Sequence, residues 1–376
     1  MINSENETGN ITTYEDDDNE EYGIEIKGKN VVKLNADKVL VKTPLLTSAQ
    51  DLAGAINELF QGGSGETSAD SDYAKWLSLP EPADNQAVFL IRAVNGYMTA
   101  QINTGVIDTS TPEKTVGYSI DWGDGTVNIF TNWRSVASHA YTTSGEYVVT
   151  FTNICGDNTV ATVTYSQARL IMGKYGNHMY GSLMSQQYLR YVRLAPDTQI
   201  GANFFNNCYC LKEIEWDGVI SELFQGMFAN CRVLNFDNIN FKSVSEIPRN
   251  CFQGCYSLKK IPVSGYTSIG TYAFNNCYNL TDISSSICES IGDGAFQNCY
   301  GLRNVKVNNC VSVGNSAFGW NYSLSTVSLE NCTTIGDDVF CYCYSLANLT
   351  LAKDCTFGED CFESCYCLYP KPDSSI

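Results

Sequence analysis

Histidine is nearly absent: the 376 residues contain two, His139 and His178. Chemistry built on imidazole ligands or bases therefore has little to draw on, and neither H-E-x-x-H nor G-x-S-x-G occurs. The phosphate-cradling G-x4-G-K-[ST] loop and the EF-hand loop are missing too, so no metal and no cofactor is expected. Bases are scarce, with 23 Lys and Arg against 41 Asp and Glu and a net charge of −18. Such a balance repels phosphate backbones and anionic lipid, which argues against a nucleic-acid partner or a membrane-surface peptide. No apolar run approaches the roughly 18 residues of a bilayer span, so membrane insertion is not expected. The first residues, Met1 to Glu7, lack the basic and apolar regions of a signal peptide, and a chain working outside a cell would leave by another route. What is present is globular, 44% apolar and 17% charged, and long enough for two or three folding units.

Residues 1–21 carry eight acids and no base and are expected to form a solvated tail unless a partner orders them. Residues 22–63 form a strand-and-helix unit. Ile24 and Ile26, Val31 to Leu34, and Val39 to Val41 read as short strands. Thr47 or Ser48 caps a helix whose apolar face is Leu52, Ala55, Ile56, Leu59 and Phe60, ended by Gly62-Gly63. One apolar stripe on so short a helix must pack on the strands or on copies of itself, which makes it a candidate oligomerisation helix. Residues 64–84 read as linker.

From 85 to 166 short alternating runs separated by Gly, Asp and Asn turns predict a β-sandwich. Within it stands Trp122-Gly123-Asp124-Gly125-Thr126, followed by His139-Ala140-Tyr141 and Gly145-Glu146-Tyr147. This W-G-D-G-T, H-x-Y, G-x-Y series resembles the polycystic-kidney-disease (PKD) type of immunoglobulin-like domain.

From 167 to 376 the sequence repeats. Phe252, Phe274, Phe296, Phe318, Phe340 and Phe362 lie 22 residues apart, preceded by Phe205 and Phe228 at spacings of 23 and 24. A leucine follows six residues after each, from Leu211 to Leu368, and an Ile/Val-rich strand follows the leucine. Applied backwards, the template places Leu183 and Leu189 in an atypical, capping repeat. Coils of this kind bury their faces only by stacking, which predicts a solenoid of about eight to nine coils. The consensus A-F-x-x-C-x-x-L-x-x-[IV]-x-[VL], with a downstream [IV]-G, resembles the BspA-like leucine-rich repeats common in bacterial surface proteins. Departures are Asn321 in the cysteine column and Asp237 in the strand column. The fold class is mainly β and multidomain.

Sixteen of the 17 cysteines lie between Cys208 and Cys367. Most fall in two columns: Cys208, Cys231, Cys255, Cys277, Cys299, Cys343 and Cys365, and Cys288, Cys310 and Cys332. Buried free thiols are favoured over disulfides, and metal binding least of all, because the C-x-C pairs lack zinc-site spacing. Asp121 and Asp124 belong to turn chemistry rather than to a glycosidase cleft, with surface calcium the next reading. His139 reads as a structural hydrogen-bonding residue, and a Cys155/His139 nucleophile pair lacks the context of a triad. No catalytic role is assigned.

Immediately after the cysteine slot stand Tyr209, Tyr256, Tyr278, Tyr300, Tyr322, Tyr344 and Tyr366, with Arg232 interrupting the series. Two readings are open: a self-stacking ladder over the edge of the core, or an aromatic binding strip. Neighbouring slots, among them Trp320 and Tyr342, change identity from coil to coil while the core columns stay constant, as on a recognition surface. These residues are the candidate ligand-binding strip.

Two display modules in series describe a non-catalytic adhesin that binds a host-surface glycan or protein. Lys42 to Phe60, with its Ala55-Ile56-Asn57-Glu58-Leu59 helix, resembles segments near the N-terminus of phage tail proteins. That resemblance implies a component of the virion surface, attached through the N-terminus to virion structural proteins and possible as a homotrimer. A bacterial cell-surface or extracellular adhesin, and a structural capsid-decoration protein, are the alternatives.

Overall fold

The computed structural model describes strands within residues 4–41, then residues 67–106, 117–130, 136–154, 159–162, 168–176, 179–180, 183–195 and 198–369. Two compact units divide the chain, Met1–Ala74 and Lys75–Ile376. The first contains an antiparallel five-stranded sheet in sequential order: β1 (Ser4–Glu5), β2 (Ile11–Asp16), β3 (Glu21–Ile26), β4 (Asn30–Asn35) and β5 (Lys38–Val41). The last three match the strands expected from their apolar runs. The first two correct the expected acidic tail: Ile11-Thr12-Thr13-Tyr14 supplies strand-forming residues, and Ile11–Asp16 pairs along its whole length with Glu21–Ile26. The proposed oligomerisation residues Leu52, Ala55, Ile56, Leu59 and Phe60 lie outside the described residues.

The linker expected at 64–84 holds a helix, α1 (Thr67–Ser78). Its last turn places Trp76, with Leu79 just beyond, in a small core with Val88, Leu90, Ile171, Met172 and Tyr191. The polar composition concealed this helix, although Thr67-Ser68-Ala69-Asp70 is an N-terminal start signal.

The second unit begins with two sheets. One has the order β10-β7-β12-β14: β7 (Thr99–Val106), β10 (Val136–Ala140), β12 (Thr159–Thr162) and β14 (Met179–Tyr180). The other has the order β16-β15-β13-β6-β11-β8-β9: β6 (Gln86–Ala93), β8 (Tyr118–Asp121), β9 (Val127–Phe130), β11 (Gly145–Asn153), β13 (Arg169–Tyr175), β15 (Tyr191–Arg193) and β16 (Glu213–Glu215). Strand β6 carries the unbroken apolar run Ala87–Ile91 because both its faces are covered. Ala87, Phe89, Ile91 and Ala93 join the main core, while Val88 and Leu90 meet Trp76.

This second sheet crosses the boundary expected at 166. β13 pairs antiparallel with β6 on one side and parallel with β15 on the other, and β15 pairs with β16. The strand rungs of the first coils are thus hydrogen-bonded onto the preceding sheet. One hydrophobic core runs from Ala87 to Leu368.

Beyond β16 the chain is a stack of coils with two ladders rather than one strand per repeat. The Ile/Val segments Asp282–Ser284, Asn304–Lys306, Thr326–Leu329 and Asn348–Leu351 pair in parallel register. The segments at the return turns, from Glu246–Ile247 to Thr356–Phe357, form a second ladder of six rungs; a glycine follows each of the last five. Gly292 shows why glycine stands at the return: a Cβ there would lie 2.8 Å from the Thr271 backbone nitrogen of the previous coil.

The eight phenylalanines from Phe205 to Phe362 stack face to face, with ring centroids 5.2–5.7 Å apart and planes within 8°. Each cysteine beside them donates its thiol to a main-chain carbonyl one coil back. Cys231, Cys255, Cys277, Cys299, Cys343 and Cys365 reach Phe205, Phe228, Phe252, Phe274, Phe318 and Phe340 respectively at 3.0–3.2 Å. Cys208 donates to Leu183, which therefore fills the phenylalanine slot of the capping repeat. Asn321 keeps the same bond: its Nδ2 donates to Phe296 O at 2.9 Å and to Phe318 O at 2.8 Å. The column selects a small buried donor; the Asn321 amide supplies the bond but leaves its Oδ1 buried and unpaired.

All sixteen described cysteines are free. Burial pushes the thiols of the core column up, Cys299 to about 12, which suppresses the reactive thiolate. The expected thiol titration of the folded protein follows: exposed Cys367 reacts rapidly, half-buried Cys210 and Cys355 slowly, and the buried remainder only after denaturation. Rapid modification of Cys277 or Cys299, read by mass spectrometry of labelled peptides, would contradict this packing.

Candidate functional site

The W-G-D-G-T series is a structural network. Asp121 and Asp124 each accept a bond from the backbone N–H two residues on, Gly123 at 2.9 Å and Thr126 at 3.0 Å. A Cβ on Gly123 would lie 2.5 Å from Val148 O, and φ there is +79°, so only glycine fits. His139 Nε2 lies 2.7 Å from Asp124 Oδ2, while its ring stacks on buried Trp122 at 5.1 Å. Tyr141 donates to Trp122 O and stacks on Tyr147, whose hydroxyl donates to Thr143 O. The two carboxylates and the histidine are committed to holding this turn. Cys155 and His178 lie outside the described residues.

Burial works to raise the Asp124 carboxyl, but hydrogen bonds from His139 and Thr126 outweigh it and leave the group below its ordinary value. A depressed carboxyl contributes stability that is complete above about pH 4, the unfolded value, and is lost as pH falls through the folded one. The melting temperature is therefore expected to fall below pH 4, and Asp124→Asn to flatten that part of the profile. An unchanged acid limb in the variant would place the titration elsewhere.

The candidate tyrosine strip is a stack. Tyr256, Tyr278, Tyr300, Tyr322, Tyr344 and Tyr366 follow one another with centroids 4.5–5.6 Å apart and planes within 20°. Arg232 does not interrupt it. Its guanidinium carbon lies 4.3 Å from the Tyr209 ring centroid and 5.2 Å from that of Tyr256, so a cation replaces one ring and joins Tyr209 to the ladder. Burial and the neighbouring Tyr256 and Tyr300 push the Tyr278 hydroxyl up. Stacked rings direct their faces at one another, leaving edges and hydroxyls for solvent. A ligand would meet the edges and hydroxyls of the inner rings, whereas Tyr366, at the end of the stack, is 76% exposed.

Two strip residues differ. Every coil has two backbone positions in the left-handed region, two residues before and two residues after its phenylalanine. The second slot holds Asn207, Asn230, Gly254, Asn276, Asn298, Trp320, Tyr342 and Ser364 in succession. Asparagine and glycine suit that conformation; tryptophan and tyrosine, at φ of 60° and 59°, do not. Trp320 and Tyr342 stack on each other at 5.7 Å, and Tyr342 meets the edge of Tyr344. No ring contact extends the pair beyond these two coils. The Tyr342 hydroxyl donates to Glu363 at 3.4 Å, and the nearby carboxylate raises it. Tyr272 is the third bulky residue with positive φ, in the other slot; its ring lies against Gly294 of the next coil, where no Cβ intervenes.

The repeat can be placed among known families on the columns just described. The profile of the BspA type leucine rich repeat region matches at 198–312 and 245–369, in six copies. Residues 198–369 are a BspA-type leucine-rich repeat region. Among solved structures, the T. pallidum leucine-rich repeat protein is 19% identical over 57% of this chain and 84% of its own, with a TM-score of 0.32. A leucine-rich repeat protein from Bacteroides ovatus is 17% identical over 70% of this chain and 81% of its own, TM-score 0.35. A leucine rich cell surface protein from Faecalibacterium prausnitzii is 17% identical over 57% and 90%, TM-score 0.24. No curated protein matches the chain significantly. Among the described residues no helix is long and apolar enough to cross a membrane, and no group of three or more His, Cys, Asp or Glu side chains is arranged to hold a metal.

The BspA-type pattern accounts for the phenylalanine, leucine and cysteine columns as core. It leaves the Trp320/Tyr342 pair unaccounted for, since the same backbone slot is filled elsewhere by residues that adopt it readily. The sequence did contain the signal, an aromatic in a slot otherwise occupied by Asn, Gly or Ser. Its meaning depends on a backbone angle that spacing alone does not reveal.

Proposed function

We propose that this chain is a non-catalytic adhesin whose BspA-type repeats bind a host-surface glycan or protein, with Trp320, Tyr342, Tyr344 and Tyr366 at the contact. The observation carrying this reading is the aromatic pair held in left-handed backbone. Strained aromatic residues without a packing need are the pattern of a ligand-contacting surface. The constant core and the varying edge support the same assignment.

In this reading the W-G-D-G-T network belongs to a PKD-type, immunoglobulin-like sandwich that carries the repeats. Residues 22–63 attach the chain to virion structural proteins, with the segment from Leu52 to Phe60 self-associating, and the adhesin stands on the surface of a phage particle. The second reading, a bacterial cell-surface or extracellular adhesin, draws on the BspA-like pattern itself. Host-cell binding by the full chain tests the adhesin. Mass spectrometry of purified particles tests the location, and light scattering of the full chain against one starting at Asp72 tests the trimer. Loss of trimer mass on removal of residues 1–71 supports virion attachment; absence from particles moves the protein to the bacterial surface.

A further inference from the structure

The Ile/Val ladder is not continuous. It stops at Glu213–Glu215 and resumes at Asp282–Ser284, leaving two coils without a rung. Local sequence explains both omissions. Asn235-Phe236-Asp237 folds into its own turn, with Asp237 N–H donating to Asn235 Oδ1 and Ile239 N–H to Phe236 O. One coil on, Pro262 has no N–H to give a ladder. Past the bond from Thr281 N–H to Lys259 O, no main-chain hydrogen bond ties 260–263 to the Asp282–Ser284 strand.

The missing rung opens a cleft of about 580 Å³ between residues 260–266 and 282–287, within the size range of small-ligand sites. Val263 and Tyr266, both buried, form part of its floor. Its walls carry Lys260, Lys306, Ser284, Ser286 and Asn308. The one carboxylate in the lining, Asp282, accepts a hydrogen bond from Asn304 at 2.7 Å. Lys260 makes only a loose, exposed pair with Asp237 at 3.8 Å, and Lys259 lines the adjoining cleft of about 560 Å³. This chain has a net charge of −18, yet charges beyond about 8 Å are screened at physiological salt, so the local lysines decide what is held at contact.

We propose that this cleft is a second binding site, separate from the aromatic pair, for an anionic saccharide. Its carboxylate or sulfate groups pair with Lys260 and Lys306. Its hydroxyls meet the short hydroxyl and amide side chains of Ser284, Ser286 and Asn308, and its apolar ring face covers Val263. A peptide strand fits less well, because the open edge, Asp282–Ser284, is three residues long.

Calorimetric titration of the full chain with trigalacturonate and with a heparin-derived tetrasaccharide tests the site and separates carboxylate from sulfate recognition. At least one probe is expected to bind one-to-one, more weakly as salt is raised. Lys260→Glu with Lys306→Glu is expected to weaken binding at least tenfold at unchanged melting temperature, both side chains being exposed. Trp320→Asn with Tyr342→Asn should leave it unchanged, which keeps this test independent of the aromatic surface. Binding of neither probe, equal affinity in the lysine variant, or tighter binding of a polyglutamate peptide would overturn the assignment.

Discussion

Replacing Trp320 and Tyr342 together by asparagine, the residue of four other coils in the same slot, is expected to abolish cell binding and leave the fold intact. Each aromatic adopts a left-handed backbone at a cost of about 1–2 kcal/mol that asparagine largely avoids. Losing the mutual ring stack costs about 0.5–1.5 kcal/mol. Relief at both positions, about 2–4 kcal/mol together, exceeds the loss of one stack, so the melting temperature should hold or rise. Aromatic anchors at a binding surface are commonly worth about 2 kcal/mol or more each, which is roughly thirtyfold in affinity. Stability and binding therefore move apart, which separates a contact residue from a packing residue. A clear loss of stability with unchanged binding would make the pair an ordinary part of the scaffold and remove the main support for the aromatic contact. The single variants should each retain partial binding, because one ring remains.

Removing residues 1–182 is expected to leave the repeats poorly soluble, with a melting temperature lowered by about 10–20 °C. The β13 edge on which Tyr191–Arg193 pairs would be gone, and so would Trp76, which stacks on Tyr191 at 5.8 Å, and Met172 beside it. Burying side chains of this size is worth about 1.5–3 kcal/mol each, so a loss near ~5 kcal/mol follows, and about 2–4 °C per kcal/mol applies at this size. Solenoids require a capping element over their first coil, and here the preceding sheet supplies it. A repeat fragment that stays monomeric and melts within a few degrees of the full chain would show that the shared sheet contributes little. The same continuity makes the converse truncation, removal of the repeats, an ambiguous binding test, since it exposes β13 as well as deleting the surface.

The cationic member of the tyrosine ladder and the amide in the cysteine column illustrate where spacing reaches its limit. Arg232 and Asn321 both look like breaks in their columns. Arg232 is a flat cation that fills a ring position between Tyr209 and Tyr256. Asn321 donates to the carbonyl that a thiol would have used. A column is defined by the interaction made in it, and residue identity is only its usual sign. Helix α1 was hidden for a related reason, since two residues, Trp76 and Leu79, anchor its C-terminal end and the rest is polar.

By itself the sequence determined the repeat, its core columns and the turn network around Trp122 and Asp124. Each of these depends on chemistry that recurs at constant spacing or lies within a few residues. The tertiary structure alone decided that the preceding sheet runs into the solenoid, that the strand ladder lapses over two coils, and that Trp320 and Tyr342 occupy a slot they fit poorly. Those features arise from pairing between segments distant in sequence and from backbone angles. Residue spacing carries neither, because the free energy of a rung or of a left-handed residue is settled only when the neighbouring coil is in place.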